Sequence, residues 1–452
     1  MPVCTLYSLE YKPDPASWFG RIRHAPGAVL LDSGRPVAMR GRYDLLSAWP
    51  LDTFEPEPDE SGAVFFQRLR QALTLLGHAD LPYDCALPFA GGLIGLLAYD
   101  FGGRLETLPN RALDDLGLPA ARFGLYSWAL INDHELKRSH LLFHPSLEDA
   151  EQQRLIQLFV GDAGDAGEYD HTPFELQAKF TADLDADSYQ HAVERIQRYI
   201  REGDCYQVNF AQRFRSPYKG DEWEAYCRVR NACPTPFSGF IAIDDGAIAS
   251  FSPERFLRLT EGRVETRPIK GTRPRGANLQ TDAEQAQALL TSAKDRAENL
   301  MIVDLMRNDL GRSCQIGSVQ VPELFSLESY PNVHHLVSCV SGTLAEHQDA
   351  FDLLAGSFPG GSITGAPKIR AMQIIDELEA TNRSIYCGSL LYIDVRGEMD
   401  SSIAIRTLLL KDRQISCWGG GGIVADSDWN AEYDESISKV KVLMEALEPV
   451  TP

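Results

Sequence analysis

The sequence predicts an α+β fold, and two observations carry that prediction. Its candidate strands come in hairpin-like pairs separated by turn residues, and its candidate helices are interspersed without the regular β-α-β alternation of a doubly wound sheet. In chain order, Ala28-Val-Leu-Leu-Asp-Ser-Gly34 is a short strand entering a turn, and the apolar run Phe89 to Tyr99 is a core strand, too short and too glycine-rich to span a bilayer. Residues 146–160 read as a helix. The small, acidic, glycine-rich stretch from Gly161 to His171 follows and reads as a linker. Beyond it, Tyr189, Val193, Ile196 and Ile200 stand at helical spacing from about Ser188, with Gly203 as the stop. In Tyr206-Gln-Val-Asn-Phe-Ala-Gln212 the apolar Tyr206, Val208 and Phe210 alternate with Gln207 and Asn209, giving a strand with both amides on one face. Phe256-Leu-Arg-Leu259 and Val264-Glu-Thr-Arg267 flank Glu261-Gly262, a hairpin with glycine in its turn. In the last helix Tyr433, Ile437, Val440, Met444 and Leu447 form an apolar stripe, with Glu432, Glu435 and Lys439 along its flank and Ser427 or Asp428 as its cap. The organisation expected is an N-terminal region 1–160, a linker 161–187 and a catalytic region 188–452, without internal repeats.

Composition removes several function classes. The 452 residues include 64 acidic against 43 basic side chains, a formal charge of −21, which argues against a nucleic-acid partner. The nine cysteines are scattered, odd in number and without C-x-x-C spacing, as suits a reducing cytosol. No basic region precedes an apolar core at the N-terminus, and no uninterrupted apolar run of 18 residues occurs, so the expectation is a cytoplasmic protein with no membrane association.

The chemistry concentrates at Pro268-Ile-Lys-Gly-Thr-Arg-Pro-Arg275, which sets Lys270 in a stiff, glycine-bearing segment where an amine can reach a bound substrate. With Glu261 and Gly262 as turn residues, simple pairing puts Glu254 beside Ile269 and Lys270 at the open end of the hairpin. A carboxylic acid and an amine thus converge as general acid and nucleophile. A surface ion pair of little energetic consequence is the plain alternative. Two acidic pairs at i,i+3, Asp295 with Glu298 and Glu432 with Glu435, each share a helix face. Acids opposing a helix dipole would look the same. Gly419-Gly-Gly-Gly422 leaves backbone amides open to an anion.

These segments carry a resemblance. Pro268 to Gly276 resembles the PI(A/K)GTRPRG signature of the chorismate-utilising enzymes, and Phe358 to Arg370 resembles their FPxGTxxGAPKxRA block, with Ser362 where threonine is commoner. The segments 294–311 and 422–435 are similar to the family's magnesium-ligand segments. The resemblance implies a large two-sheet α/β sandwich of the anthranilate synthase component I type, its N-terminal region interleaved with the core. It also implies Mg2+, with Glu298 and Glu435 as direct ligands and Asp295 and Glu432 beside them; Asp295 departs from the family's glutamate and has the shorter arm. A hard cation of this kind clamps a carboxylate of the substrate, and the absence of a histidine or cysteine cluster speaks against zinc. His335 matches the family's active-site histidine. Tyr392 and Arg406 match the residues holding the enolpyruvyl carboxylate, where a forked guanidinium suits bidentate binding. Gly271, Thr272, Ser362, Gly420, Gly421, Gly422 and Lys439 complete the substrate-binding set. Ser33, Arg40, Tyr43, Pro236, Phe237 and Ser238 match segments that bind tryptophan in the family, here expected to be occupied without regulating.

The branch follows from two positions. Gln207 stands where the water-activating members have a lysine, so amination is implied. Lys270 replaces the alanine of the ortho-aminating enzymes, so the implied product is the para one, 4-amino-4-deoxychorismate, the start of 4-aminobenzoate synthesis for folate. The chain has no G-x-C-x-G nucleophile elbow, so the ammonia is expected from a glutaminase partner. The anthranilate-forming branch is the competing reading. A silent subunit binding aromatic amino acids would lack the metal acids or Lys270, and all of these are present.

Overall fold

Alternation of side chains along the strands builds two antiparallel sheets that share both halves of the chain. The computed structural model describes residues 2–38, 41–109, 111–161, 172–330 and 333–448. Among them the first sheet runs Thr5–Leu9, Arg138–Phe143, Trp128–Asp133, Tyr43–Ser47, Val29–Asp32, Phe237–Ile243, Gly246–Ser252, Thr407–Lys411, Gln414–Ile423, Gln207–Lys219 and Thr181–Ala182. The second runs Ile269–Pro274, Val333–Thr343, Arg263–Thr266, Arg255–Thr260, Met399–Ser402, Ser389–Asp394, Gly92–Leu97, Ala121–Tyr126 and Asp52–Phe54. Early strands pair directly with late ones, Asp32 opposite Ser238 and Ile94 opposite Tyr392. The N-terminal region is therefore woven into the catalytic one.

The period of two explains why the first sheet is apolar on both faces. Val29 and Leu45 join the core shared with Leu93, Ile94 and Leu391 of the second sheet. Their neighbours Leu30 and Leu46 join a second core, packed under Phe159, Tyr226, Val229, Val440 and Leu443 from helices on the outer face. No helix among the described residues is long and apolar enough to cross a membrane.

Local differences from the sequence reading have physical causes. Of residues 161–187, those from 162 to 171 lie outside the described residues, and the remainder is not a free linker: Glu175–Leu176 and Thr181–Ala182 pair with the Gln207–Lys219 strand. The following helix, Ala186–Glu202, starts behind an Asp185 cap and ends at Gly203 in the left-handed conformation, where a side chain is disfavoured. Tyr206 precedes the strand and is 72% exposed, so it is not one of the inward residues. The Trp429–Leu447 helix, capped by Asp428, buries Glu432, Ser436, Val440, Leu443 and Leu447. Glu432 is thus on the inward face rather than the flank. The glycine run permits this approach, because a Cβ at Gly419 would lie 1.8 Å from the Ser436 carbonyl oxygen.

Candidate active site

The Glu261-Gly262 turn has both residues at positive φ, 50° and 73°, the conformation that joins two twisted strands tightly. It pairs Thr260 with Arg263 and Arg258 with Glu265, the register that brings Glu254 to Ile269. The carboxyl of Glu254 indeed accepts from the Ile269 amide. On the next strand the register slips between Lys270 and Thr272, with Gly271 as the extra residue at φ 79°. Such a bulge re-aims the preceding side chain, and the Lys270 ammonium donates to the Ser362 carbonyl at 3.1 Å.

Ser362 also donates its hydroxyl to Glu254 Oε1 at 2.8 Å, so acid and amine meet at one residue. Their proton affinities are pushed together. Burial raises the Glu254 carboxyl to about 7, with the Ser362 hydrogen bond and the Lys270 charge pulling back. Burial likewise lowers Lys270 below the ordinary lysine value, against the opposing pull of Glu298, Glu254 and Glu435. A carboxyl able to hold a proton beside an amine able to lose one is what acid-assisted nucleophilic attack needs.

The remaining acids ring the same cleft. Glu298, on the Ala293–Gly311 helix, is raised by burial and sits within electrostatic reach of Lys270, Lys294 and Glu435. Glu432 is raised by burial and accepts from Ser427 Oγ at 2.8 Å. Burial pushes Glu435 up, but Lys439, 2.7 Å away, and other cations bring it below the usual range. These side chains crowd one glycine: a Cβ at Gly421 would fall 3.0 Å from Glu432 Oε2, 3.6 Å from Lys439 Nζ and 3.7 Å from Glu435 Oε1. Asp295 is instead held by Arg273 at 2.9 Å. Among the described residues no three His, Cys, Asp or Glu side chains are gathered as a ready-made metal cage. The set suits a hard cation that takes one or two protein carboxylates and keeps water or substrate for its other positions.

His335 sits opposite Thr272, whose hydroxyl is 2.9 Å from its Nδ1; burial and then the Arg406 charge depress the imidazole to about 4. It is therefore a neutral ring. Arg406 has a positive φ of 50°, and its carbonyl accepts from the Phe251 amide. Gly420, Gly421 and Gly422 pair with Ala211, Phe210 and Asn209 along one edge of their strand, while the ladder to Thr407–Lys411 on the other edge stops short of them. Gln207 lies over Gly422, where a Cβ would meet its Nε2 at 2.2 Å, and neither amide atom has a hydrogen-bond partner.

Tyr392 is placed differently from the other substrate-binding candidates. It lines a separate cavity of about 750 Å³ together with Tyr43, Pro236, Phe237 and Ser238. Ser33 does not line it; its hydroxyl donates to Asp44. Arg40 lies outside the described residues. Sequence reasoning missed Lys294, whose charge reaches Glu298, Glu432 and Glu435. A lysine in the first turn of a helix, against the dipole, was the signal available.

Two sheets closing over a lysine, a buried acid and a ring of glutamates define a chorismate binding enzyme, and the chain belongs to that family, whose model matches residues 28–445. It is 46% identical to aminodeoxychorismate synthase component 1 of Klebsiella aerogenes, covering 98% of this chain and 99% of that protein. It is 44% identical to the protein of the same name from Escherichia coli K12, covering 98% of each. Among solved structures, anthranilate synthase component I from Streptococcus pneumoniae superposes with a TM-score of 0.79 at 30% identity, covering 90% of this chain and 93% of that one.

Proposed function

We propose that the chain is component I of an aminodeoxychorismate synthase, a cytoplasmic enzyme converting chorismate and ammonia to 4-amino-4-deoxychorismate. The observation that carries this is the meeting of Lys270 and Glu254 at Ser362. Neutral Lys270 attacks ring C2, the ring double bonds shift, and the C4 hydroxyl leaves as water on taking the Glu254 proton. Ammonia then forms the C4–N bond, the double bonds shift back, and the lysine amine departs from C2. Gln207, an amide, has no proton-accepting capacity with which to activate water instead. The neutral His335 and Thr272 line the approach, and Arg406 supplies the cation for a substrate carboxylate.

Mg2+ bound through Glu298 and Glu435, with Glu432 beside them, would supply positive charge for the ring carboxylate. Asp295, engaged by Arg273, supports that set from outside. Ammonia would come from a glutaminase subunit. The cavity lined by Tyr43, Pro236, Phe237 and Ser238 is read as a tryptophan-like site, occupied without control of the rate. Incubating the chain with chorismate, magnesium and ammonium salt tests the reading: 4-amino-4-deoxychorismate is expected, and anthranilate as the main product would overturn it. Glutamine is expected to serve only when the glutaminase is added.

A further inference from the structure

Ser362 governs both reacting groups, yet it stands in a single short turn, Gly361–Ile363. The turn is anchored to the Gln207–Lys219 strand by the Asn209 amide, which donates to the Thr364 carbonyl at 2.8 Å, and by a buried ion pair that reaches the turn itself. Arg383, 2% exposed, donates Nη1 to the Ile363 carbonyl at 2.9 Å and Nη2 to the Asn209 carbonyl at 2.7 Å. The same guanidinium binds both oxygens of Glu379, at 2.8 and 2.7 Å. Glu379 in turn accepts from the Ala211 amide at 2.9 Å. The pair therefore rivets the Ser362 turn to the strand that faces the glycine run. Such a pair, its guanidinium making four donations and its carboxylate also taking the Ala211 amide, is expensive to desolvate and yields little net stability; its value lies in geometry.

We propose that Arg383 and Glu379 are positioning residues for the reaction: they hold the Ser362 turn so that its hydroxyl meets Glu254 while its carbonyl meets Lys270. This rests on Glu254 and Lys270 acting as acid and nucleophile. Neither Arg383 nor Glu379 touches the reacting atoms. A lysine at 383 keeps the charge but cannot span two carbonyls and a carboxylate as the fork does, and a misplacement of order 1 Å at reacting groups costs up to about 100-fold in rate.

The test compares Arg383→Lys, Glu379→Gln, Ser362→Ala and the Ser362→Ala/Arg383→Lys double variant in the ammonium-dependent reaction, with melting curves to count folded enzyme. Expected for Arg383→Lys is a fall in kcat of about 10-fold or more per folded molecule, with KM for chorismate nearly unchanged. Its pH–rate profile should move in the same direction as that of Ser362→Ala, and the double variant should move no further. Glu379→Gln should reproduce the effect in weaker form. An unmoved profile, a rate that simply tracks the folded fraction, or independent additive shifts in the double variant would each overturn the proposal. So would failure of both Arg383→Lys and Glu379→Gln to fold, which assigns the pair to stability alone. Absence of 4-amino-4-deoxychorismate from the wild-type chain removes the functional reading first, and this one with it.

Discussion

Glu254→Gln should make the protein more stable, and only above a definite pH. Glu254 is 5% exposed, and burial raises its carboxyl from 4.5 to about 7. In the unfolded chain it ionises near 4.5, so between there and about 7 the folded state holds a proton that the unfolded state has released. Stability therefore falls as pH rises across that window and is level beyond it. The cost accumulated is about 3 kcal/mol, from about 1.4 kcal/mol for each tenfold change in proton affinity. Glutamine has nearly the same shape, can accept from Ser362 and the Ile269 amide, and carries no charge to desolvate. Denaturant midpoints of wild type and variant, measured at about pH 5 and pH 8, should lie close together at the lower value and separate at the higher, the variant being the more stable by up to about 3 kcal/mol. Activity moves the other way, falling by roughly 10²–10⁴ through loss of the general acid. An equal stability difference at both pH values would show that Glu254 is not a proton-holding group at neutral pH.

Lys270→Ala should abolish any covalent adduct with chorismate seen by mass spectrometry in the absence of ammonia, and leave the fold intact, because removing a polar side chain from a cleft opens no core cavity; residual product should shift toward amination at C2. Glu298→Ala and Glu435→Ala should each lower activity at least about tenfold and raise the magnesium concentration needed for half-maximal rate, which a magnesium titration of initial rates checks. Tryptophan should raise the melting temperature of the chain by mass action without lowering its turnover, read by a thermal shift alongside the product assay.

Much of the fold was legible because local signals agreed with each other. The glycine turn at Glu261-Gly262 fixed a register that carried Glu254 to Ile269, and that register is seen. The strand and helix periods were equally plain around Tyr189 and Val208. What was not legible depended on partners distant in sequence. Tyr206 fits an alternating pattern yet lies outside the strand and faces solvent, because nothing local says where pairing starts. Residues 175–182 look like part of a linker, and only the neighbouring Gln207–Lys219 strand makes them sheet. Glu432 falls off the apolar stripe of its helix and is nonetheless buried, since the facing strand is glycine and contributes no side chains there.

That last point bears on how an acidic chain accepts a dicarboxylate. Of the glutamates around Gly421, Glu432 is held up by burial and Glu435 is engaged by Lys439 at 2.7 Å; Glu298, across the cleft, is also held up by burial. The cleft's cations and acids thus stand mutually compensated, and Lys270 is depressed toward its neutral form. A cation taken up by Glu298 and Glu435 would leave Lys439, which also donates to the Gly420 carbonyl at 2.8 Å, without its carboxylate partner and with its charge turned to an incoming carboxylate. Metal and substrate should then bind with positive coupling, and coupling of this kind is reciprocal in binding free energy. Lys439→Ala removes one of the groups through which it acts, the direct attraction between metal and ring carboxylate being the other: chorismate should raise its magnesium affinity by less than it raises that of the wild type. Isothermal titration with magnesium, in the presence and absence of chorismate and without ammonia, measures both, and equal coupling in the two proteins would place the link elsewhere.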